Sequence, residues 1–227
     1  GSGTNLSGGT IPTKGGIVIH LSRMNRVLEI DLPNRTATVE PGVITLDLQN
    51  ELLKKGFVYV PDPASQKVST LGGNVGENSG GPHCLKYGVT TNHVLGAEVV
   101  LYDGSVIWTG GTNQDNPGYD LTGLIVGSEG TLGIVTKVIL RILPAPEAVM
   151  TMLAIYDTIE DASNTVSAII AEGIVPATLE MMDSVIIKAV EESVHAGYPL
   201  DAAAVLIIEL DGLYDGMERQ TEKIVGI

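Results

Sequence analysis

The sequence predicts an α+β fold in two parts, on the evidence of three observations. Short apolar or alternating runs, typical of strands, are interspersed with amphipathic segments at helical spacing. The chain has 227 residues, of which 44% are hydrophobic, enough to bury a core in one or two domains. The sequence Pro144-Ala145-Pro146 interrupts this pattern, because proline fixes φ and cannot donate to a β-ladder. We therefore predict domains at residues 1–143 and 147–227.

The first part is predicted to contain a sheet and an amphipathic helix. Leucines between positions 46 and 53 recur at helical spacing, with Thr45 as a candidate cap and Gly56 just beyond the end. The dipeptide Asp103-Gly104 predicts a tight hairpin, since such a turn needs positive φ. Runs predicted as strands lie at residues 17–21, 27–31, 36–39, 94–102, 105–109 and 134–143.

The second part is predicted to combine strands and helices. Thr158 and Asp161 resemble a capping box in which Asp replaces the usual Glu or Gln. His195 lies near the end of a predicted helix, where a histidine favourably meets the helix dipole, so we predict a capping and not a catalytic role. The predicted strands are residues 149–156, 178–181 and 204–210, and the predicted helices are residues 162–171 and 184–196.

Composition excludes several classes of function. The net charge of −14 and the dispersed basic residues disfavour a nucleic-acid partner. The longest apolar run, residues 202–208, is far shorter than the roughly 20 residues that span a bilayer. Cys84 is the only cysteine and cannot form an internal disulfide, which favours a reducing compartment. A cytoplasmic protein is predicted.

The ends of the sequence suggest a piece of a longer protein. The chain starts at Gly1-Ser2 without an initiator methionine and stops at Ile227 within a helical pattern. An engineered scar would explain Gly1-Ser2, but the residues that follow continue a coherent glycine-rich loop. We expect a fragment.

Glycine is concentrated in three loops, which indicates close approach of the backbone to a ligand. The first loop, residues 1–9, offers consecutive N–H groups and small hydroxyls that suit a pyrophosphate, although a flexible terminus would have the same composition. In the second, residues 71–81, Asn74 and Asn78 would project to one side of a helical turn. The third is residues 127–134. None matches a P-loop or a Rossmann fingerprint, and each could be an ordinary turn, but one shared ligand explains all three.

The order and spacing of several motifs resemble the FAD-linked oxidases of the vanillyl-alcohol-oxidase superfamily, and among them the glycolate oxidase catalytic subunit and D-lactate dehydrogenases. The resemblance covers essentially the whole chain and includes the second part. It is carried by Gly3-Thr4-x-Leu6-Ser7-Gly8-Gly9, Pro61-Asp62-Pro63-x-Ser65, residues 71–81, His83-Cys84-Leu85-Lys86-Tyr87-Gly88, Gly127-Ser128-Glu129-Gly130, residues 179–183, residues 195–199 and residues 209–212.

This resemblance implies an FAD-binding domain of the vanillyl-alcohol-oxidase (PCMH) type, followed by part of an α+β cap domain on the substrate side. Because covalent relatives carry a histidine in the opening loop where this chain has Thr4 and small residues, we expect non-covalent FAD. The cofactor-binding residues implied are Gly3, Thr4, Asn5, Leu6, Ser7, Gly8, Gly9, Pro61, Asp62, Pro63, Thr70, Gly72, Gly73, Asn74, Asn78, Gly80, Gly81, Tyr87, Gly88, Gly127, Glu129, Gly130 and Ile134.

No catalytic residue and no metal site is predicted. Relatives carry a His-x-Gly-Asp-Gly-Asn-x-His stretch in a later cap region, and this chain lacks it, so we expect the isolated chain to be inactive. His83-Cys84 supplies too few ligands for a metal, and Cys84 is interpreted as a packed side chain.

The implied activity is oxidation of a small 2-hydroxy acid of the glycolate or D-lactate type, by hydride transfer to flavin N5. The implied partners are the substrate and an electron acceptor, such as an electron-transfer subunit that could also bring the protein to a membrane surface. Two alternatives remain open: a non-catalytic or electron-transfer flavin-binding fragment, and an NADPH-dependent enolpyruvyl-sugar reductase of the same fold.

Overall fold

The structure is a computed structural model that describes residues 1–112 and 118–227. The chain divides into two compact units. Unit 1 comprises residues 1–81 and 87–145, and unit 2 comprises residues 82–86 and 146–227. The short segment 82–86 therefore leaves the sequence of unit 1 and packs within unit 2.

Unit 1 is built on an antiparallel sheet with strand order β1-β2-β6-β4-β5, and β3 pairs separately with β7. The strands are β1 (Val27–Asp31), β2 (Thr36–Val39), β3 (Phe57–Val58), β4 (Val94–Val100), β5 (Val106–Gly110), β6 (Ile134–Arg141) and β7 (Leu143–Pro144). The helices in this part of the sequence are α1 (Thr45–Leu53), α2 (Leu71–Glu77), α3 (Cys84–Tyr87) and α4 (Leu121–Ile125), and a 3₁₀ turn spans Thr90–Asn92.

The core of unit 1 lies between this sheet and its helices. Alternate residues of β2 and β6, including Ala37, Val138 and Leu140, are completely buried, and Leu48 and Leu52 of α1 belong to the same cluster. Leu71 and Val75 bring α2 onto that cluster. The apolar face of α2 is thus fixed against the sheet, which leaves its glycine face for another surface.

Several predicted elements of unit 1 are confirmed. The hairpin pairs Val100 with Val106, and Gly104 has a φ of 82° in the turn. Helix α1 ends before Gly56, whose φ is 76°. The N-cap of α1 is Ile44 and not Thr45, because the Thr45 hydroxyl is bonded to Ser69 instead of the helix start.

The predicted strand at residues 17–21 is wrong. These residues form no strand, and Ile17, Val18 and Ile19 are exposed. Gly15 and Gly16, with φ of 74° and 133°, turn the chain just before this run. Residues 17–21 do not add to the edge of β1, whose only partner strand among the described residues is β2.

Unit 2 is an antiparallel sheet in the order β8-β10-β9. One face of this sheet packs on two helices through Ile169, Ile224 and the even-numbered residues of β10 from Leu206 to Leu210. Its elements are β8 (Ala148–Tyr156), α5 (Ile159–Ala171), β9 (Thr178–Asp183), α6 (Ser184–Val194), β10 (Ala204–Gly212) and α7 (Tyr214–Val225).

The predicted caps of unit 2 are found in the structure. Thr158 is the N-cap of α5, and its hydroxyl accepts a hydrogen bond from the Asp161 amide at 3.1 Å. His195 is the C-cap of α6, with a left-handed φ of 52°. The Thr158 hydroxyl thus caps α5 through its side chain, whereas His195 ends α6 through its backbone, whose amide donates to the Glu191 carbonyl at 3.3 Å.

Candidate functional site

A cavity of about 930 Å³ lies in unit 1. Its walls come from the opening segment, defined as residues 1–22, from Pro41 and Gly42, from residues around α2, and from the segment that leads into β6. The glycine-rich sequences at residues 1–9, 71–81 and 127–134 all contribute to this wall. The three glycine-rich sequences therefore face one cavity, as they must if they bind one shared ligand.

The cavity gathers a large part of the implied cofactor site. The implied residues that line it are Gly3, Thr4, Asn5, Leu6, Gly9, Pro63, Thr70, Gly72, Gly73, Asn74, Gly80, Glu129, Gly130 and Ile134. Implied residues outside the lining are Ser7, Gly8, Pro61, Asp62, Asn78, Gly81, Tyr87, Gly88 and Gly127.

The opening segment offers free hydrogen-bond donors. The amide N–H groups of residues 3–10 donate no hydrogen bond to a described residue, and the segment has no helix or strand. Among the hydrogen bonds that hold it to the rest of unit 1, the Ser2 hydroxyl donates to the Val68 carbonyl at 2.6 Å and the Asn5 side-chain amide donates to the Glu77 carboxylate. A run of free N–H groups favours an anionic ligand.

Helix α2 forms a more rigid wall. Thr70 is its N-cap and accepts a hydrogen bond from the Gly73 amide at 3.2 Å. A β carbon at Gly72 would overlap Pro41, whose carbonyl oxygen would be 2.9 Å away. A β carbon at Gly73 would lie 3.1 Å from the Cα of Gly1. Gly72 requires glycine because α2 approaches Pro41 closely, whereas a side chain at Gly73 would need its neighbours Gly1 and Thr70 to move by a few tenths of an ångström.

The amides of Asn74 and Asn78 do not project together, contrary to the prediction. Asn74 is buried, and its Nδ2 donates to the Thr45 hydroxyl at 2.7 Å. Asn78 is the left-handed C-cap of α2, and its Oδ1 accepts from the Thr91 amide at 2.9 Å. Helix α2 ends at Glu77, so the chain has already turned at Asn78 and the four-residue spacing no longer places both side chains on one face.

The part of the cavity wall formed by residues 127–134 brings the carboxylate of Glu129 close to the opening segment. Glu129 has a left-handed φ of 52°, and its amide donates to the Gly76 carbonyl at 2.9 Å. A β carbon on Gly9 would lie 3.1 Å from Glu129 Oε2. Glu77 and Glu129 both line the cavity, whereas Lys and Arg are absent from its described lining. An anion would therefore be held by N–H and hydroxyl dipoles without a Lys or Arg from this lining, and its charge would have to avoid these two carboxylates.

Tyr59 and His93 form a buried pair of polar side chains in unit 1. The ring of Tyr59 meets that of His93 edge-on at 6.0 Å between centroids, and both residues are almost fully buried. His93 Nε2 donates to the Tyr87 carbonyl at 3.0 Å, because a carbonyl can only accept. Burial lowers the pKa of His93 and raises that of Tyr59, since each ionised form would lose hydration. Both side chains are therefore neutral at pH 7.

Sequence reasoning missed part of the cavity wall. Ile17, Ile19 and Ser22 were assigned to or beside a strand, and Pro41-Gly42 and Ser69 were given no role, yet all line the cavity. The pair Gly15-Gly16 before an apolar run was a usable signal that the run turns away from the sheet. The role of Pro41-Gly42 depends on its contact with α2 and has no sequence signal.

The residues of this cavity fit FAD. Its volume lies within the range typical of cofactor sites. The free amides of residues 3–10 suit a diphosphate. The exposed apolar side chains of Leu6, Ile11 and Ile17, all in the lining, suit the flat rings.

The described residues offer neither a cluster of metal ligands nor a membrane-spanning helix. Among residues 1–112 and 118–227, three or more His, Cys, Asp or Glu side chains nowhere gather as a metal site would require. Within the same described ranges, every helix is too short or too polar to cross a membrane.

The fold and the cavity define a flavin-binding protein, and comparisons with known proteins specify the family. Residues 1–110 match the FAD binding domain family, and residues 145–227 match the C-terminal domain of FAD linked oxidases. The chain belongs to the FAD-linked oxidases. The predicted family and the predicted fold class are thereby confirmed.

Individual relatives agree with this assignment. The chain is 55% identical over 228 residues to the glycolate oxidase subunit GlcD of Bacillus subtilis, covering 100% of this chain and 48% of that protein. It is 43% identical to GlcD of Escherichia coli K12, covering 99% of this chain and 45% of that protein. The D-lactate dehydrogenase of Anaerostipes hadrus is 35% identical, with coverage of 99% and 48%. The chain spans about half the length of the curated relatives it matches.

A solved structure of alkyldihydroxyacetonephosphate synthase shares the fold. It superposes with a TM-score of 0.84 at 24% sequence identity, covering 100% of this chain and 45% of that one. At this identity the likeness concerns the fold alone.

Proposed function

We propose that this chain provides the FAD site of an enzyme that oxidises a small 2-hydroxy acid of the glycolate or D-lactate type to the 2-oxo acid. The observation that carries this proposal is the 55% identity to a glycolate oxidase subunit over the whole chain. The D-lactate dehydrogenase relative supports the broader substrate class. Bound FAD would supply the two-electron acceptor for the oxidation.

The contribution of this chain would be to bind and orient the cofactor. The amides of residues 3–10 would hold the diphosphate, because they donate to no other group among the described residues. The glycine face of α2 would limit how deeply the cofactor enters, and Glu77 and Glu129 would keep phosphate away from their side of the cavity. A base for the substrate hydroxyl is not assigned to any residue of this chain.

Non-covalent attachment is part of the proposal. Thr4 and its small neighbours offer no imidazole for a bond to the flavin, and the opening segment lacks histidine up to His20. Precipitation of the purified flavoprotein with acid should leave yellow FAD in the supernatant. Colour that stays in the washed pellet would contradict non-covalent binding.

The whole protein is proposed to act in the cytoplasm and to pass electrons to a partner subunit. The GlcD relatives are named as subunits, which supports a multi-subunit assembly. Co-purification of the tagged protein from its native host tests this assembly. Isolation of an active enzyme that consists of this polypeptide alone would argue against a required partner.

Substrate class is tested by anaerobic reduction of the flavin bound to the whole protein that contains this chain. D-lactate or glycolate should bleach the visible flavin absorbance within seconds, a usual enzyme timescale. L-lactate and NADPH serve as controls. Reduction by NADPH, or FAD binding without reduction by any 2-hydroxy acid, would replace the proposal with a reductase or a non-catalytic flavin protein, respectively.

A further inference from the structure

We propose that residues 82–86 form a strap that couples the FAD cavity to the central strand of unit 2. The inference rests on the proposed FAD site. It follows from three sets of contacts: those that fasten the strap to β10, those that fasten its two ends within unit 1, and those that link the first of these ends to the cavity wall.

Two side chains fasten the strap to unit 2. His83 Nε2 lies 2.9 Å from Glu209 Oε1, and the other oxygen of Glu209 accepts from the Thr151 hydroxyl at 3.4 Å. Lys86 Nζ donates to the Asp211 carbonyl oxygen at 2.7 Å and also to its carboxylate, whose side chain is only 6% exposed. Glu209 and Asp211 both belong to β10, which pairs with β8 and β9 on its two sides. The strap is thus attached to the central strand of that sheet.

The ends of the strap are fastened in unit 1. The Ser79 carbonyl accepts from the Thr90 amide at 3.0 Å and from the Thr90 hydroxyl at 2.7 Å. The Tyr87 carbonyl accepts from His93 Nε2 at 3.0 Å. These bonds close the base of a loop whose middle is attached to β10. Bonds at both ends and in the middle leave the strap little freedom to move independently.

The first end of the strap belongs to the cavity wall. Ser79 and Gly80 line the cavity, and the Ser79 amide donates to the Asn74 carbonyl of α2 at 3.0 Å. Between Gly80 and the first strap residue lies a single glycine, Gly81, whose β carbon would overlap Asp62. A link of one residue spans at most about 3.6 Å per residue, so it cannot absorb a displacement of the strap. Release of the strap should therefore disturb Ser79, Gly80 and the end of α2.

Coupling of this kind is reciprocal. If FAD orders residues 79–80, the strap and β10 become more protected when FAD binds, and loss of the strap anchors weakens FAD binding by the same factor. Typical coupling factors are about 5- to 150-fold. His83, Lys86, Glu209 and Asp211 are not among the residues that line the cavity, so an effect of their substitution on FAD affinity would be indirect.

The test compares Lys86→Met with Lys137→Met in the purified protein. Lys86→Met retains the apolar stem and removes the bonds to Asp211. The control breaks an ion pair of 2.8 Å between Lys137 and Glu98, on strands of unit 1 outside the cavity lining. We expect Lys86→Met to raise the FAD Kd about fivefold or more, and the control to change it less than twofold. Hydrogen exchange without cofactor should become faster in residues 71–80 and 204–212 of Lys86→Met only.

A second variant covers the case in which Lys86→Met does not fold. Glu209→Gln removes one charge while its amide can still bond His83 and Thr151, and it should produce the same changes with smaller amplitude. Faster exchange confined to residues 82–86 and β10, with an unchanged FAD Kd, would overturn the strap. If the unmodified protein binds no FAD, the proposed function fails, and exchange in residues 71–80 of the variants still decides whether the strap is mechanically coupled.

Discussion

The opening segment and helix α2 are both rich in glycine and both line the cavity, but their backbones differ. The amides of residues 3–10 have no hydrogen-bond acceptor within the described part of the chain, and Gly3 and Gly8 have φ of 72° and 69°. In α2 the amide of Gly72 donates to the Pro41 carbonyl at 2.8 Å, and its glycines have helical φ values. In the opening segment glycine thus allows a positive φ, whereas in α2 it lets the helix backbone approach Pro41 closely.

This difference predicts which wall depends on the ligand. Helix α2 is held by its N-cap, by buried Leu71 and Val75, and by the bond from Asn74 to Thr45. The opening segment is mostly exposed and has few bonds. We expect substitutions in α2 to destabilise the protein itself, and substitutions in the opening segment to weaken FAD binding alone.

The largest effect is expected for Gly72→Ala. Its β carbon would overlap Pro41, with the Pro41 Cα 3.0 Å away, so backbone must shift on one side. Overpacking of this kind costs roughly 1–3 kcal/mol. Thermal unfolding without FAD should show a Tm lower by about 2–4 °C for each kcal/mol. FAD binding should also be lost.

Gly216→Ala is the matched control, because Gly216 lies in helix α7 with open space around it. This substitution should raise the free energy of unfolding by up to about 1 kcal/mol. An unchanged Tm in Gly72→Ala would show that the close contact between α2 and Pro41 is not required.

A smaller effect, on binding alone, is expected for Gly3→Ala. An alanine at a φ of 72° is strained by about 1–2 kcal/mol, and the exposed segment can relax until FAD imposes its conformation. The FAD Kd should rise about tenfold, since 1.4 kcal/mol corresponds to a factor of ten. The Tm without cofactor should not change.

Gly15→Ala carries the same strain, with a φ of 74°, but Gly15 does not line the cavity. Its FAD Kd, measured by quenching of flavin fluorescence, should equal that of the unmodified protein. Equal weakening by both substitutions would mean that general disorder of the opening segment, and not its contact with FAD, controls affinity.

The smallest effect is expected for the pH dependence of the free energy of unfolding, through the buried side chain of His93. Burial lowers the pKa of His93 below its ordinary value of 6.5 in the folded protein. The unfolded chain therefore binds the proton first, so stability is complete above pH 6.5 and declines as the pH falls below it towards the folded pKa. Between about pH 7.5 and about pH 5.5 the free energy of unfolding should therefore decrease as the pH falls.

Urea unfolding of His93→Gln should show a weaker pH dependence over this range, whereas His20→Gln, which removes an exposed histidine of the opening segment, should retain it. The carboxylates with lowered pKa values, Glu40 and Glu98, titrate below 4.5 and do not interfere. An identical pH dependence in His93→Gln would exclude His93 as its source.

The sequence alone determined the family, the α+β class and most regular elements. Apolar periodicity fixed β1, β2 and α5, because side chains on one face must be buried together. Asp103-Gly104 fixed the hairpin, because that turn needs positive φ. Thr158 fixed the start of α5 through a local hydrogen bond. All these features depend on residues close together in sequence.

Only the tertiary structure decided where residues 17–21 go, which way Asn74 and Asn78 point, and that residues 82–86 pack within unit 2. Each of these depends on a partner distant in sequence: the cavity wall, Thr45, or Asp211 on β10. Asn74 lies in a glycine-rich sequence that is typical of a ligand contact. Because its side-chain amide is buried, it must form hydrogen bonds within the protein. Packing, and not spacing along the chain, decides which groups form those bonds.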